Sequence, residues 1–335
     1  MSVAYHRSDD GILLHSRGGI EVRLIDCPVA RRGFRSFFGV WLVRDATRGT
    51  TFLVDCGPAA AAERIAEAVW RHAGGRLDAL LLTHVHMDHC GSAGALAREF
   101  PDLRVIAPAK GARHLVDPTR LVTSSRAVLG DIVDAYGEIT SVPETALSSP
   151  DALGGLRAID APGHAPYHNA YVYRTGDETI LFPGEAAGVH LDPRAGGNFG
   201  TSCRMSVMPY IRPATPPRFV FPVALASLDR VRETRPTIVC YAHFGASDDA
   251  SLLDGARDQM LLWRDVCAEL LSDDPTAADD PIGRLLPSLL DADPNLGAYR
   301  LLEPDIRDRE DFFIANSLRG IVGWIQEERS SERKG

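Results

Sequence analysis

The chain has 335 residues, 45% of them hydrophobic and 24% charged, which is enough apolar material for one large domain or two small ones. A formal net charge of -9 argues against nucleic acid as a partner, because such binding draws most of its affinity from Lys and Arg neutralising phosphates. No run approaches the roughly eighteen apolar residues of a membrane span, and the first residues lack the basic-then-apolar layout of a secretory signal, so the expectation is a cytoplasmic protein without a membrane partner.

In chain order, "IEVRLIDCPV", "SFFGVWLVRD" and "TTFLVDCG" read as strands separated by turn signals. "PAAAAERIAEAVWRHAGG" reads as a helix closed by Gly-Gly, and "LDALLLT" as a buried strand. After Asp88, "HCGSAGALAREFPDL" returns to helical period and stops at Pro101; "RVIAPA" is a short strand and "KGARHLVD" a helix start. The stretch from Leu156 to Gly188 predicts three strands, and "RPTIVCYAHFG" one more. From Ser251 onward apolar residues recur at three- and four-residue intervals over 251–271 and 311–329, predicting amphipathic helices. The Pro/Asp-rich segment 273–295 between them is expected to be mobile. The predicted organisation is thus a catalytic domain over 1–250 and a helical extension over 251–335, packed on the core.

The chemistry concentrates in "LLTHVHMDHCG", residues 81–91. A buried strand ends there in four candidate ligands, His84, His86, Asp88 and His89, within six positions. Imidazole and carboxylate suit zinc and other borderline metals such as Fe and Mn, and four ligands exceed what one ion needs. A histidine-rich surface turn is the bland alternative. It is weakened by His164 in "DAPGHAPYH", Glu185 in "LFPGEAAG" and His243 in "CYAHFG", each at the end of another strand-like stretch. Six scattered cysteines show no CxxC spacing and read as reduced thiols. Cys90, beside the cluster, reads as a packing residue at a helix start rather than a ligand.

The order THxHxDH, PGH, an acidic residue after Gly and a late His after a strand resembles the metallo-β-lactamase superfamily. The resemblance implies an α/β fold of the metallo-β-lactamase αββα sandwich type with a C-terminal helical extension. It further implies two divalent metal ions, with zinc expected ahead of Mn or Fe. His84, His86 and His164 would hold the first ion, Asp88, His89 and His243 the second, and Glu185 would bridge them. Glu185 departs from the Asp usual in such relatives, so the alternative is that it binds one ion only. Asp55 in "FLVDCG" either orients the metal histidines or caps the following helix. His168 matches a second histidine that supports the site or touches substrate in hydrolytic relatives.

Two ions about 3.5–4 Å apart can hold one hydroxide and lower the pKa of water from about 15.7 to near 7. The expected function is therefore a dinuclear hydrolase using a metal-bridging hydroxide, with Asp88 as the catalytic proton acceptor. Its substrate is a small-molecule ester, lactone, thioester, amide or phosphoester. No nucleophile elbow, phosphate loop or dinucleotide fingerprint competes with it. The alternatives are a mononuclear iron dioxygenase of the persulfide-dioxygenase type, which would leave His89, Glu185 and His243 idle, and a non-catalytic metal-binding or sensing protein. A nuclease is disfavoured by the acidic charge and by the short interval from Glu185 to His243. Substrate choice is assigned to two loops, 28–38 and 198–222. In the second, Phe199, Met205, Met208, Tyr210 and Phe219 either line a lid or pack on the helical extension, and Arg204 or Arg212 is available to an anion.

Overall fold

The computed structural model describes residues 6–8, 11–195, 197–199 and 210–332. Among these, one sheet runs in the order β1 (His6–Ser8), β2 (Gly11–Arg17), β3 (Ile20–Asp26), β4 (Gly39–Asp45), β5 (Thr50–Val54), β6 (Ala79–Leu81), β7 (Arg104–Ile106) and β8 (Leu147–Ser148). Its first five strands are antiparallel neighbours, and β5 to β8 are parallel. A second sheet holds β9 (Leu156–Asp160), β10 (Asn169–Thr175) and β11 (Glu178–Phe182). After a ribbon of β12 (Val189–His190) and β13 (Ile211–Arg212), β14 (Ile238–Cys240) and β15 (Ala246–Ser247) complete that sheet, in the order β15-β14-β11-β10-β9.

The sheets face one another across a shared core. The Trp41 indole donates to the Tyr241 carbonyl at 2.8 Å, the Tyr171 hydroxyl to the Leu82 carbonyl at 3.0 Å, and the rings of Phe52 and Tyr173 lie 4.9 Å apart. Strand β4 is buried at all but one position, as a central strand covered on both faces must be, whereas β3 alternates buried with half-buried side chains. The helices are α1 (Ala62–Ala73), α2 (Met87–Cys90), α3 (Ala93–Glu99), α4 (Arg113–Val116), α5 (Thr119–Leu129), α6 (Ile132–Tyr136), α7 (Phe221–Arg232), α8 (Ser251–Asp273), α9 (Pro281–Arg284), α10 (Leu286–Ala292) and α11 (Pro304–Glu332). Helix α1 buries Ile65, Ala68 and Val69, one face at helical spacing, and stops at Gly74 in the left-handed conformation. The result is the expected αββα sandwich followed by helices.

One expectation fails here. Segment 273–295 is folded, as a single-turn helix Pro275–Asp279 followed by α9 and α10, with Leu285, Leu286 and Leu289 buried. Its Asp-Pro pairs are helix starts rather than breaks: Asp274, Asp280 and Asp293 accept from the backbone N–H of Thr276, Gly283 and Asn295, and each is followed by a proline in the first turn. Among the described residues no helix is long and apolar enough to cross a membrane.

Candidate metal centre

Parallel packing brings the ends of separate strands to one edge of the sandwich. The chain leaves β6 through buried Leu82, Thr83 and His84, delivers His86, and enters α2, which carries Asp88 and His89. His164 follows β9, Glu185 follows β11 and His243 follows β14. All seven residues meet.

Their donor atoms fall into two groups, His84 with His86, His164 and Glu185, and Asp88 with His89 and His243, and within each group the atoms lie within 4.8 Å of one another. His86 Nδ1 is 3.0 Å from both His84 Nε2 and His164 Nε2. A proton shared among three facing imidazole nitrogens satisfies one pair of them; one cation accepts the lone pairs of all three. Glu185 stands between the groups. Its Oε2 is 2.8 Å from His164 Nε2 and 3.5 Å from both His84 Nε2 and His89 Nε2, while Oε1 is 3.1 Å from His243 Nε2. Buried His89 Nε2 has no hydrogen-bond partner among the described residues, which is the state of a ligand atom facing an ion position. The donor set therefore fits divalent metal.

The far side of each ring is fixed by the fold. His89 Nδ1–H donates to Asp55 Oδ2 at 3.0 Å, and Asp55 Oδ1 accepts from the Thr83 backbone at 2.8 Å. Asp55 thus orients a histidine and caps no helix. It does so from a left-handed backbone, φ 56°, that few residues besides Gly, Asn and Asp adopt readily. His164 Nδ1–H donates to the Ala214 carbonyl at 3.1 Å and His243 Nδ1–H to that of Phe37 at 3.2 Å. Donation to these carbonyls leaves each Nε2 as a lone pair aimed inward. His168 is not in either donor group. Its Nε2 accepts from the Glu185 N–H at 3.1 Å, and its ring stacks on His84. Gly184 makes this approach possible, since a Cβ there would lie 2.4 Å from His168 Nε2.

Burial, reinforced by neighbouring His89 and His86, pushes His84 well below the usual imidazole range, and burial with His164 takes His86 down to about 4. Burial alone would also lower His89, but Asp88, Asp55 and Glu185 outweigh it and hold it well above that range. Burial would raise the Glu185 carboxyl, yet His164, His243 and His84 hold it well below the carboxylate range. Neutral His84 and His86 beside ionised Glu185 are in the ionisation states that metal ligation requires, whereas His89, held charged by its carboxylate neighbours, gives up its Nε2 proton when an ion binds there.

A cavity of about 550 Å³ opens on His86, Asp88, His164, Glu185 and His243. Loop 28–38 contributes Phe37 to its wall, and loop 198–222 contributes Ala214 to Phe219. The rest of that second loop divides: buried Phe199 pairs with Leu302, and the Tyr210 hydroxyl donates to Glu310 of α11, so both pack on the helices. Arg212 lines the cavity but is ion-paired with Glu310 at 2.6 Å. Cys203, Arg204, Met205 and Met208 lie outside the described residues. Cys90 is buried, with its thiol pushed up by burial, and belongs to neither donor group; His190 packs on Tyr241 and is in neither group. Sequence reasoning missed Arg309 and Glu310 of α11, which reach the site through Phe37 and Arg212. Their signal was two charges in register with Ile306, Ile314 and Leu318, on the face of the helix that is buried.

An αββα sandwich carrying histidine and carboxylate donors at the ends of its strands is the architecture of a metal-binding hydrolase-type fold. This chain belongs to the metallo-beta-lactamase superfamily, whose family model matches residues 40–243. A metallo-beta-lactamase fold-containing protein of Sulfurisphaera tokodaii is 28% identical over 51% of this chain and 61% of its own length. A hydroxyacylglutathione hydrolase of Halorhodospira halophila is 34% identical over 44% of this chain and 46% of its own. The matches thus span about half the length of these curated relatives. A solved beta-lactamase domain protein of Burkholderia ambifaria shares the fold, with TM-score 0.57 and 18% identity over 96% of this chain and 91% of its own.

Proposed function

We propose that this chain is a hydrolase that uses two divalent metal ions, zinc foremost, on a small-molecule ester, lactone, thioester, amide or phosphoester. The observation that carries the reading is Glu185, whose two carboxylate oxygens face the two donor groups at the floor of a cavity large enough for a substrate. The kinship with proteins named hydroxyacylglutathione hydrolases supports hydrolysis as the reaction class.

Divalent ions held there lower the pKa of water towards neutrality and polarise a substrate oxygen. His84, His86 and His164 would hold one, Asp88, His89 and His243 the other, and Glu185 both. Asp88 lines the cavity, so its carboxylate is in reach of the attacking water and takes the proton that water gives up. The cavity walls position the scissile group over these residues and thin the surrounding water.

Metal analysis of protein purified without added ions, followed by a panel of lactones, thioesters and phosphoesters, tests the proposal. About two Zn or Mn per chain with turnover of a panel member is the expected result. One Fe per chain with oxygen uptake overturns it in favour of a dioxygenase.

A further inference from the structure

The cavity has a chemistry of its own beyond its metal-lined floor. Helix α5 contributes Leu121 and Val128, the start of α7 contributes Val220 and Val223, and Phe219 and Phe313 close the sides. The described residues include five exposed large apolar side chains, and three of them, Val128 at 52%, Val220 at 48% and Val223 at 41%, stand on this one cavity. Apolar side chains gathered on one concave rim mark a surface that is covered in use. The rim is continuous with the wall that descends to His86, Asp88 and Glu185, so its occupant is whatever reaches the metal centre. The cationic groups among the described lining residues are Arg212, already opposed by Glu310, and Arg218, exposed at the mouth. Ser124, Ser125, Thr215, Asn316 and Ser317 also line the cavity, but the two carboxylates of a glutathione thioester would find there one guanidinium, that of Arg218, besides the one already paired with Glu310.

Resting on the hydrolase reading above, we infer that the substrate is an ester or lactone with a long or bulky apolar arm, seated between α5 and the start of α7 while its carbonyl lies over the metal centre. Each methylene buried along these walls is worth about 0.8 kcal/mol, close to fourfold in kcat/KM, until the cavity is filled.

Two measurements on the metal-loaded protein test this. The first is kcat/KM for straight-chain acyl esters from acetyl to decanoyl, beside a small-acyl glutathione thioester. The second is binding of free carboxylates from butyrate to decanoate, by calorimetry, which needs no turnover. The expected result is a rise of about two- to fourfold per methylene in both series. Val128→Asp with Val223→Asp, at solvent-exposed positions, is expected to weaken decanoate binding at least tenfold with metal content and melting temperature unchanged. Graded binding with no hydrolysis of these esters, nor of the lactones, thioesters and phosphoesters of the panel above, supports the apolar-arm site and rejects the hydrolase reading. Binding that is flat with chain length, a glutathione thioester turned over faster than the decanoyl ester, or a concentration-dependent dimer that the paired Asp substitutions dissociate overturns the inference.

Discussion

The guanidinium of Arg309 lies 4.0 Å from the centre of the Phe37 ring, and the same ring stacks on His243 at 4.3 Å with 27° between the planes. The last helix therefore bears on a metal-centre histidine through one aromatic side chain. Arg309 also donates to the carbonyls of Gly33 at 2.7 Å and Arg35 at 3.3 Å, which fixes the loop whose Phe37 carbonyl receives the His243 Nδ1–H. Loop and helix come this close because residue 33 is glycine, where a Cβ would lie 2.3 Å from the Asp305 carbonyl.

Arg309→Leu is expected to loosen His243 without emptying the first donor group. It removes a desolvated cation–π contact of up to about 2 kcal/mol and strands two carbonyls. A shift of His243 by a fraction of an ångström should lower kcat/KM on the order of tenfold or more. Metal competition titrations should show one binding step weakened and the other retained. Two unchanged steps would show that α11 has no part in positioning His243.

Asp55 separates a ligand-orienting role from a backbone role. Asn tolerates its left-handed φ and keeps an acceptor for the Thr83 N–H, but turns an amide donor toward the His89 Nδ1–H. Asp55→Asn is expected to fold with a near-native melting temperature and to lose about 10- to 100-fold in metal affinity or activity. Asp55→Ala should lose that affinity and, in addition, about 1–2 kcal/mol of stability from the left-handed backbone. Equal melting temperatures for the two variants would refute the strain argument.

The donor set was legible in the sequence because each ligand ends an apolar strand, and a strand end is a local pattern. His84 to His89 lie in one such stretch, and His164, Glu185 and His243 close three others. What was not legible depends on partners remote in the chain. Arg309 and the Gly33 carbonyl it caps are 276 positions apart, and no spacing rule links them. The Asp-Pro pairs of 273–295 were misread for another reason: the same dipeptide starts a helix or breaks one according to whether leucines behind it find a core. Here Leu285, Leu286 and Leu289 do.

Glu310 predicts an acid limb. It is fully buried, 2.6 Å from Arg212 Nε and 2.9 Å from Arg309 Nε. Burial alone would raise its carboxyl, but Arg212 and Arg309 outweigh burial and bring it down to about 2. The folded value lies below the unfolded one near 4.3, so its contribution is complete above about pH 4.3 and is lost as pH falls towards 2. Glu310→Gln leaves two buried guanidinium groups unopposed and should cost about 3–5 kcal/mol at pH 7. It should also flatten the loss of stability between about pH 4 and pH 2. Urea midpoints at pH 7, 4 and 3 check both; a variant as acid-sensitive as the parent would assign the limb to other carboxylates.

Glu185 is the most direct test of a two-ion centre, because its oxygens face His164 and His243 at 2.8 and 3.1 Å. Glu185→Asp draws the carboxylate back by about one bond length, roughly 1.5 Å, and a group that short cannot keep both contacts without moving its strand end. The second ion, with Asp88, His89 and His243 left as its ligands, should then be held more weakly, and turnover should fall with it. Glu185→Gln keeps the length of the arm but removes its charge and should abolish turnover. His86→Ala and His243→Ala each delete a ligand from a different group, so each should lower metal content by about one ion per chain and end activity. Thermal shift on adding Zn separates a binding defect from a folding one, since an ion at a hundred times its Kd stabilises by about 2.7 kcal/mol. If Glu185→Asp and His243→Ala both retain full metal content and rate, Glu185 serves one ion alone and the second donor group is structural.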